Sequence, residues 1–182
     1  MRKSSLLDCL SAFLKYGISY KDATAIDVGG TDVVNLDGNF VVNPILKMCK
    51  KVTMFDGGFS VERLGTSSHV VDDFTASSVA HAYGSSFDIS FTFDTLEHVK
   101  NPFRFCENLI AVTRPGGVIF VATVFSWAYH PAPEDYYRYS PTGLRELFIG
   151  ELNRKAAEFQ LLESGWGQDG QGVYLLGRRV PK

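Results

Sequence analysis

Between Phe87 and Ala122 the spacing of apolar residues changes twice, and each change marks the boundary of an element. Phe87, Ile89, Phe91 and Phe93 alternate with Asp88, Ser90 and Thr92, the period of two of a strand, and the small polar residues on its second face suit a strand covered on both sides. Asn101 and Pro102 then supply an N-cap and a first helical position, and Phe103, Cys106, Leu109 and Ile110 recur at helical spacing until Arg114-Pro115 ends the helix. Gly116-Gly117 predicts a turn, and the unbroken apolar run Val118 to Ala122 predicts a parallel strand buried on both faces. The unit is β-loop-α-turn-β, with a right-handed crossover as the default.

The same patterning gives the rest in outline. It predicts a leading amphipathic helix near 4–16, strands at Ala23 to Val28, Lys51 to Phe55 and His69 to Val71, and short helices at Pro44 to Cys49 and Thr75 to Ala82. After an irregular stretch over 124–140 come a helix at Pro141 to Phe148 and two strands, near Glu158 to Ser164 and Gly172 to Gly177, around a glycine-rich turn. Alternating strands and helices ending in a hairpin predict an α/β fold: a doubly wound, Rossmann-like, mostly parallel seven-stranded sheet with an antiparallel last strand and helices on both faces. Ligands in such sheets bind beyond the carboxyl ends of the strands, so candidate residues are those that directly follow strands.

Composition narrows the function classes. At 182 residues, 45% apolar and 21% charged, the expectation is one ordinary globular domain, with 1–20 as an N-terminal helical extension. A net charge of −2 without a Lys/Arg cluster argues against nucleic acid as partner. Cys9, Cys49 and Cys106 form neither a disulfide framework nor a zinc pattern and suit reduced thiols in a cytoplasmic protein. The stretch from Leu6 to Leu14 is broken by polar residues, so neither a secretory signal nor a membrane span is expected.

Phe87-Asp88, Leu96-Glu97-His98-Val99, Asn101-Pro102 and Arg114-Pro115-Gly116-Gly117 together resemble the central block of class I S-adenosylmethionine-dependent methyltransferases, in particular the small type 11-like domains. His130 to Tyr139 with Gly143-Leu144 is similar to the loop that follows this block in a subgroup of small bacterial-type members, so the resemblance runs over roughly residues 22–178. It implies S-adenosyl-L-methionine as cofactor and S-adenosyl-L-homocysteine as product. On this likeness Asp27, Gly29 and Gly30 correspond to the acidic residue and glycine turn at the methionine part of the cofactor, Asp56 with Gly57 to the ribose, Asp73 and Phe74 to the adenine, and Asp94-Thr95 to the cofactor edge after the fourth strand. A further glycine expected near Thr31 to Val33 is missing, and Val33 to Gly38 reads as loop or strand rather than helix. Each assignment has a plainer counterpart, a tight turn for Gly29-Gly30, a turn cap for Asp56 and a helix cap for Asp73.

Three readings compete at the substrate edge. Asp94, Glu97 and His98 would share one face if their segment is helical. His98 then packs structurally, acts as a general base or substrate contact, or joins the carboxylates around a divalent ion, as in some O-methyltransferases with a similar Glu-His run. The base reading is preferred and no metal is expected. The loop from Phe125 to Tyr139 is rich in aromatics and predicts a lid over 124–140, with His130 a second candidate base and Tyr129, Asp135, Tyr137 and Arg138 as substrate contacts. The alternative is a small satellite core with Asp135 and Arg138 as a structural ion pair.

Methyl transfer from a sulfonium is an in-line displacement, so the protein mainly orients and desolvates its reactants. The expected activity is methylation of a small molecule or an exposed group, most simply at oxygen. A catalytically silent methyltransferase-fold binding module is the alternative. A nicotinamide enzyme is disfavoured, since Gly29 to Val34 lacks the G-x-G-x-x-G fingerprint.

Overall fold

A computed structural model of the chain describes residues 2–29, 33–34, 40–41, 45–56, 68–131 and 133–181. The elements in chain order are α1 (Lys3–Lys15), β1 (Thr24–Val28), β2 (Val33–Val34), β3 (Phe40–Val41), β4 (Lys51–Asp56), β5 (Ser68–Val71), α2 (Ser77–Tyr83) and β6 (Phe87–Phe93). They continue with α3 (Pro102–Val112), β7 (Thr113–Val124), α4 (Pro141–Ile149), β8 (Phe159–Trp166) and β9 (Gly172–Arg179).

One seven-stranded sheet has the order β5-β4-β1-β6-β7-β9-β8. Its neighbours are parallel except around β9, which runs antiparallel to both β7 and β8. β2 and β3 pair as a separate antiparallel ribbon, so the segment after β1 enters a small hairpin where a helix would open a nucleotide fingerprint. The expected fold class therefore holds, including the strand-like character of Val33-Val34.

Side-chain alternation divides the core between the two sheet faces. Ile119 and Val121 of β7 join a cluster with Val79 of α2, Phe105, Leu109 and Ile110 of α3, and Leu144, Leu147 and Phe148 of α4. Val118, Phe120 and Ala122 pack with Ile89, Phe91 and Phe93 and with Cys9, Ala12 and Phe13 of α1. The α1 positions that bury themselves, Ser5, Asp8, Cys9, Ala12 and Phe13, follow the three-and-four spacing of one helix face. The polar face of β6 is buried as expected: Ser90 and Thr92 are inaccessible, and Ser90 shares a 2.6 Å hydroxyl contact with Thr113.

Local chemistry sets the helix ends that matter for the site. Asn101 caps α3 by accepting from the Arg104 amide at 3.1 Å, with Pro102 at the first position; Ser140 does the same for Gly143 at the start of α4, followed by Pro141. The Gly116-Gly117 turn is absorbed into β7, which starts five residues earlier than the apolar run, at Thr113, and shifts register against β6 between Phe87 and Ile89.

Candidate active site

The sheet order reverses direction between β1 and β6, and the residues after those two strands open a cavity of about 740 Å³. Gly29 leaves β1 with φ of +74°, donates its amide to the Phe55 carbonyl at 2.7 Å, and lies so close to Thr95 that a Cβ would come within 2.2 Å of its Cγ2. Only glycine fits this crossing. One part of the cavity wall is apolar, from Val28, Phe55, Phe74 and Phe105, whose rings meet at 5.0 Å (Phe55 and Phe74) and 5.1 Å (Phe74 and Phe105). Another part is polar, from Arg2, Asp94, Glu97, His98 and His130.

The residues expected at the cofactor divide accordingly. Gly29, Asp73, Phe74, Asp94 and Thr95 line the cavity. Asp73 also accepts from the amide and hydroxyl of Thr75, at 2.8 and 2.7 Å, which holds the turn into α2. The expected helix cap is therefore a turn cap ahead of α2, whose own N-cap, Ala76, has no side-chain bond. Asp27 is buried within β1 and is absent from the described lining. Gly30 and Gly57, and the side chain of Asp56, lie outside the described residues.

Asp94 is held from a direction the sequence did not suggest. Its backbone is left-handed, with φ of 48°, and its carboxylate accepts from the Arg2 amide at 2.6 Å, from Arg2 Nε at 3.0 Å and Nη2 at 2.9 Å, and from Ser5 Oγ at 3.2 Å. Arg2 extends further to Asp169 and to the Thr123 carbonyl, at 2.8 and 3.1 Å. Gly172 makes this possible, since a Cβ there would fall 2.1 Å from Arg2 Nη2. Burial alone would lower the Arg2 pKa, but Asp94 overrides it and raises it.

Leu96 to His98 form a single 3-10 turn, so Asp94, Glu97 and His98 do not share one helical face. Glu97 is fully buried; its Oε2 accepts from Thr123 Oγ1 at 2.7 Å, and its Oε1 lies 3.9 Å from His98 Nε2 and 3.7 Å from His130 Nε2. Burial is the main cause that raises the Glu97 pKa, and the Asp94 charge adds to it. The two imidazoles meet edge to face at 4.8 Å. The two candidate bases are therefore brought together around the Glu97 carboxylate.

The stretch after β7 folds back over this wall. The amides of Tyr136 and Tyr137 both donate to the Glu97 carbonyl, at 2.8 and 3.2 Å, and Tyr137 Oη reaches the Lys100 carbonyl at 3.2 Å. Asp135 and Arg138 are paired with each other, and Arg138 also donates to the carbonyls of Trp127 and Ala128. That pairing holds the Asp135 carboxylate well below the ordinary range. Of the loop's candidate contacts, His130 lines the cavity, joined by Trp127 and Pro133, while Tyr129, Asp135, Tyr137 and Arg138 are absent from the described lining.

A methyltransferase-domain family model matches residues 39–121. The fold matches that of a Burkholderia thailandensis 1,6-didemethyltoxoflavin-N1-methyltransferase, solved with S-adenosylhomocysteine, at a TM-score of 0.68 and 16% identity, over 98% of this chain and 79% of that one. The chain has the class I S-adenosylmethionine-dependent methyltransferase fold, and its residues 39–121 match a methyltransferase-domain family. A Parvibaculum lavamentivorans ubiquinone biosynthesis O-methyltransferase is 38% identical over 50 residues, which is 28% of this chain and 19% of that relative's length. A [4+2]-cyclase has the same fold at a TM-score of 0.62 and 15% identity, over 96% of this chain and 81% of the other. The methyltransferase fold thus carries more than one chemistry, and the acceptor has to be argued from the site.

Proposed function

We propose that this domain methylates an oxygen of a small acceptor, with S-adenosylmethionine as donor. The observation that carries this reading is the division of one cavity into an apolar part beside the Gly29 crossing and a polar wall rich in hydrogen-bond acceptors. Phe55 and Phe74 offer flat apolar surface for the adenine, Asp73 a carboxylate for its amino group, and the left-handed Gly29 backbone close approach to the methionine end. Asp56 remains the proposed ribose ligand. When bound, the cofactor supplies an electrophilic methyl on sulfur.

The protein's own residues provide orientation and a proton sink. Carbonyls of Glu134 and Ala128 lie 2.6 and 2.9 Å from Nδ1 of His98 and His130. A carbonyl only accepts, so in the neutral rings Nδ1 carries the proton and Nε2 is basic. A hydroxyl that loses its proton to this wall becomes the nucleophile. The aromatic lid, with Trp127 on the cavity, excludes water from it. Among the described residues no helix is long and apolar enough to cross a membrane, and a cytoplasmic setting completes the proposal.

Calorimetric titration with S-adenosylhomocysteine is the test, with Asp56→Ala as control. Saturable binding, weakened in the variant, is expected. A folded wild-type protein that binds neither S-adenosylmethionine nor S-adenosylhomocysteine would overturn the reading and favour a silent module.

A further inference from the structure

Base catalysis needs one lone pair, yet three converge. Glu97 Oε1 is buried without a hydrogen-bond donor among the described residues. His98 Nδ1 faces the Glu134 carbonyl, and His130 Nδ1 faces the Ala128 carbonyl and, at 3.3 Å, the Asp135 carboxylate. Both Nδ1 positions therefore carry the proton, and both Nε2 lone pairs turn towards Glu97. The three ligand atoms all lie within 4.8 Å of one another.

We propose that Glu97 Oε1, His98 Nε2 and His130 Nε2 bind one divalent transition-metal ion, zinc or a first-row ion of similar preference. Two imidazoles and one carboxylate suit such ions, whereas magnesium and calcium prefer oxygen alone. Ligand atoms about 2.1 Å from a tetrahedral ion stand about 3.4 Å apart. The observed 3.7 and 3.9 Å to Glu97 require closure by a few tenths of an ångström, and the two imidazoles, within 4.8 Å of each other, by up to about 1.4 Å. The acceptors behind each Nδ1 are the outer partners that fix tautomer and ring plane in metal sites. A cation also accounts for a carboxylate oxygen buried without a donor. Asp94 lies outside the set because Arg2 and Ser5 hold its oxygens.

Three protein ligands on a cavity leave a coordination position open, the arrangement of catalytic rather than structural sites. This deepens the proposed reading and changes one step of it: an ion there would take the acceptor oxygen and lower its pKa so that the proton passes to solvent, and the two histidines would be ligands in place of bases. The proposal rests on that reading for its role and on geometry alone for its existence.

The experiment strips the full chain with a chelator, removes the chelator, and titrates it with cobalt(II) without cofactor, following visible absorption and displacement by zinc(II). Saturation at one cobalt per chain is expected. Glu97→Gln and His130→Gln should each weaken binding about 10-fold or more, and Asp94→Asn by less than about 3-fold. His130 is on the partly exposed lid, so its variant keeps the test open if the buried Glu97→Gln fails to fold. No saturable binding by folded wild-type protein, or binding unchanged in His130→Gln, or binding lost in Asp94→Asn alone, would overturn the site. S-adenosylhomocysteine binding without cobalt binding sinks the metal site alone, and the converse sinks the cofactor reading alone.

Discussion

Replacing Arg2 tests whether the N-terminus is a structural part of the cavity or an accessory. The Arg2 and Asp94 side chains are only 13% and 10% exposed, so their ion pair is not a screened surface contact. Arg2→Ala removes the Nε and Nη2 bonds to Asp94, the Nη1 bond to Asp169 and the Nη2 bond to the Thr123 carbonyl, leaving Asp94 with the residue 2 amide and Ser5. Hydrogen bonds to charged groups contribute about 1.5–3 kcal/mol each, and stranding a buried partner costs about 3–5 kcal/mol. Because both side chains keep some contact with water and Asp94 retains two donors, about 2–3 kcal/mol is expected, within the first of those ranges. For a chain of this length that corresponds to a fall of roughly 4–12 °C in Tm. The assay is a double-mutant cycle of Arg2→Ala and Asp94→Asn by urea unfolding, followed by far-ultraviolet circular dichroism, with a coupling of about 2 kcal/mol expected. Coupling below about 0.5 kcal/mol would class the pair with solvent-screened ones and make the Arg2 contact an accessory.

Two further outcomes are expected. Glu97→Gln should raise Tm near pH 7.5 in the presence of a chelator. The folded pKa of Glu97 lies above the ordinary 4.5, so its ionisation opposes folding once the pH exceeds that value; each pKa unit is worth about 1.4 kcal/mol, and the gain should vanish below about pH 4.5. Arg2, Asp94, His98, Thr123, His130, Arg138 and Tyr139 face it, and equal Tm differences at pH 4 and pH 7.5 would contradict this. Gly29→Ala should cost about 1–3 kcal/mol and abolish S-adenosylhomocysteine binding, since φ is +74° and the new Cβ would overlap Thr95. Wild-type affinity in that variant would show that the turn is not part of the site.

The fold was legible where hydrophobic pattern is dense. Strand β6, the Asn101 cap of α3, the start of α4 at Pro141 and the antiparallel closing strand are where the pattern predicts them, because buried strands and capped helices leave compositional marks, whereas the predicted Gly116-Gly117 turn lies within β7. The site was legible only in part. His98 could be named because it follows a strand, and His130 because it lies in an aromatic loop. Their meeting at Glu97 could not, since it depends on Tyr136 and Tyr137 donating backbone amides to the Glu97 carbonyl, a contact without side-chain signature. Arg2 left no signal either, as a basic residue near a chain start is ordinary. The shared face expected for Asp94, Glu97 and His98 assumed helical spacing, whereas the left-handed Asp94 and the 3-10 turn send its carboxylate towards α1 and leave Glu97 to the histidines.

The bonds of the stretch after β7, read above as a lid, fall into those within it and those that tie it to the body. Arg138 ties Asp135 to the carbonyls of Trp127 and Ala128, all within the lid, so these bonds survive if the lid swings as a unit. Its ends are anchored by the amides of Phe125 and Ser126 on the Gln171 carbonyl and by Tyr139 Oη on Leu96, and its middle by the amides of Tyr136 and Tyr137 on Glu97, Tyr137 Oη on Lys100, and His98 on the Glu134 carbonyl, four bonds in all. At about 0.5–1.5 kcal/mol each, these four bonds contribute about 2–6 kcal/mol to holding the stretch against the body. Glu97 and His98 belong to the body and His130 to the lid. A metal ion coordinated by all three would therefore fasten the lid as well as complete the polar wall, coupling ion binding to closure through one added bridge.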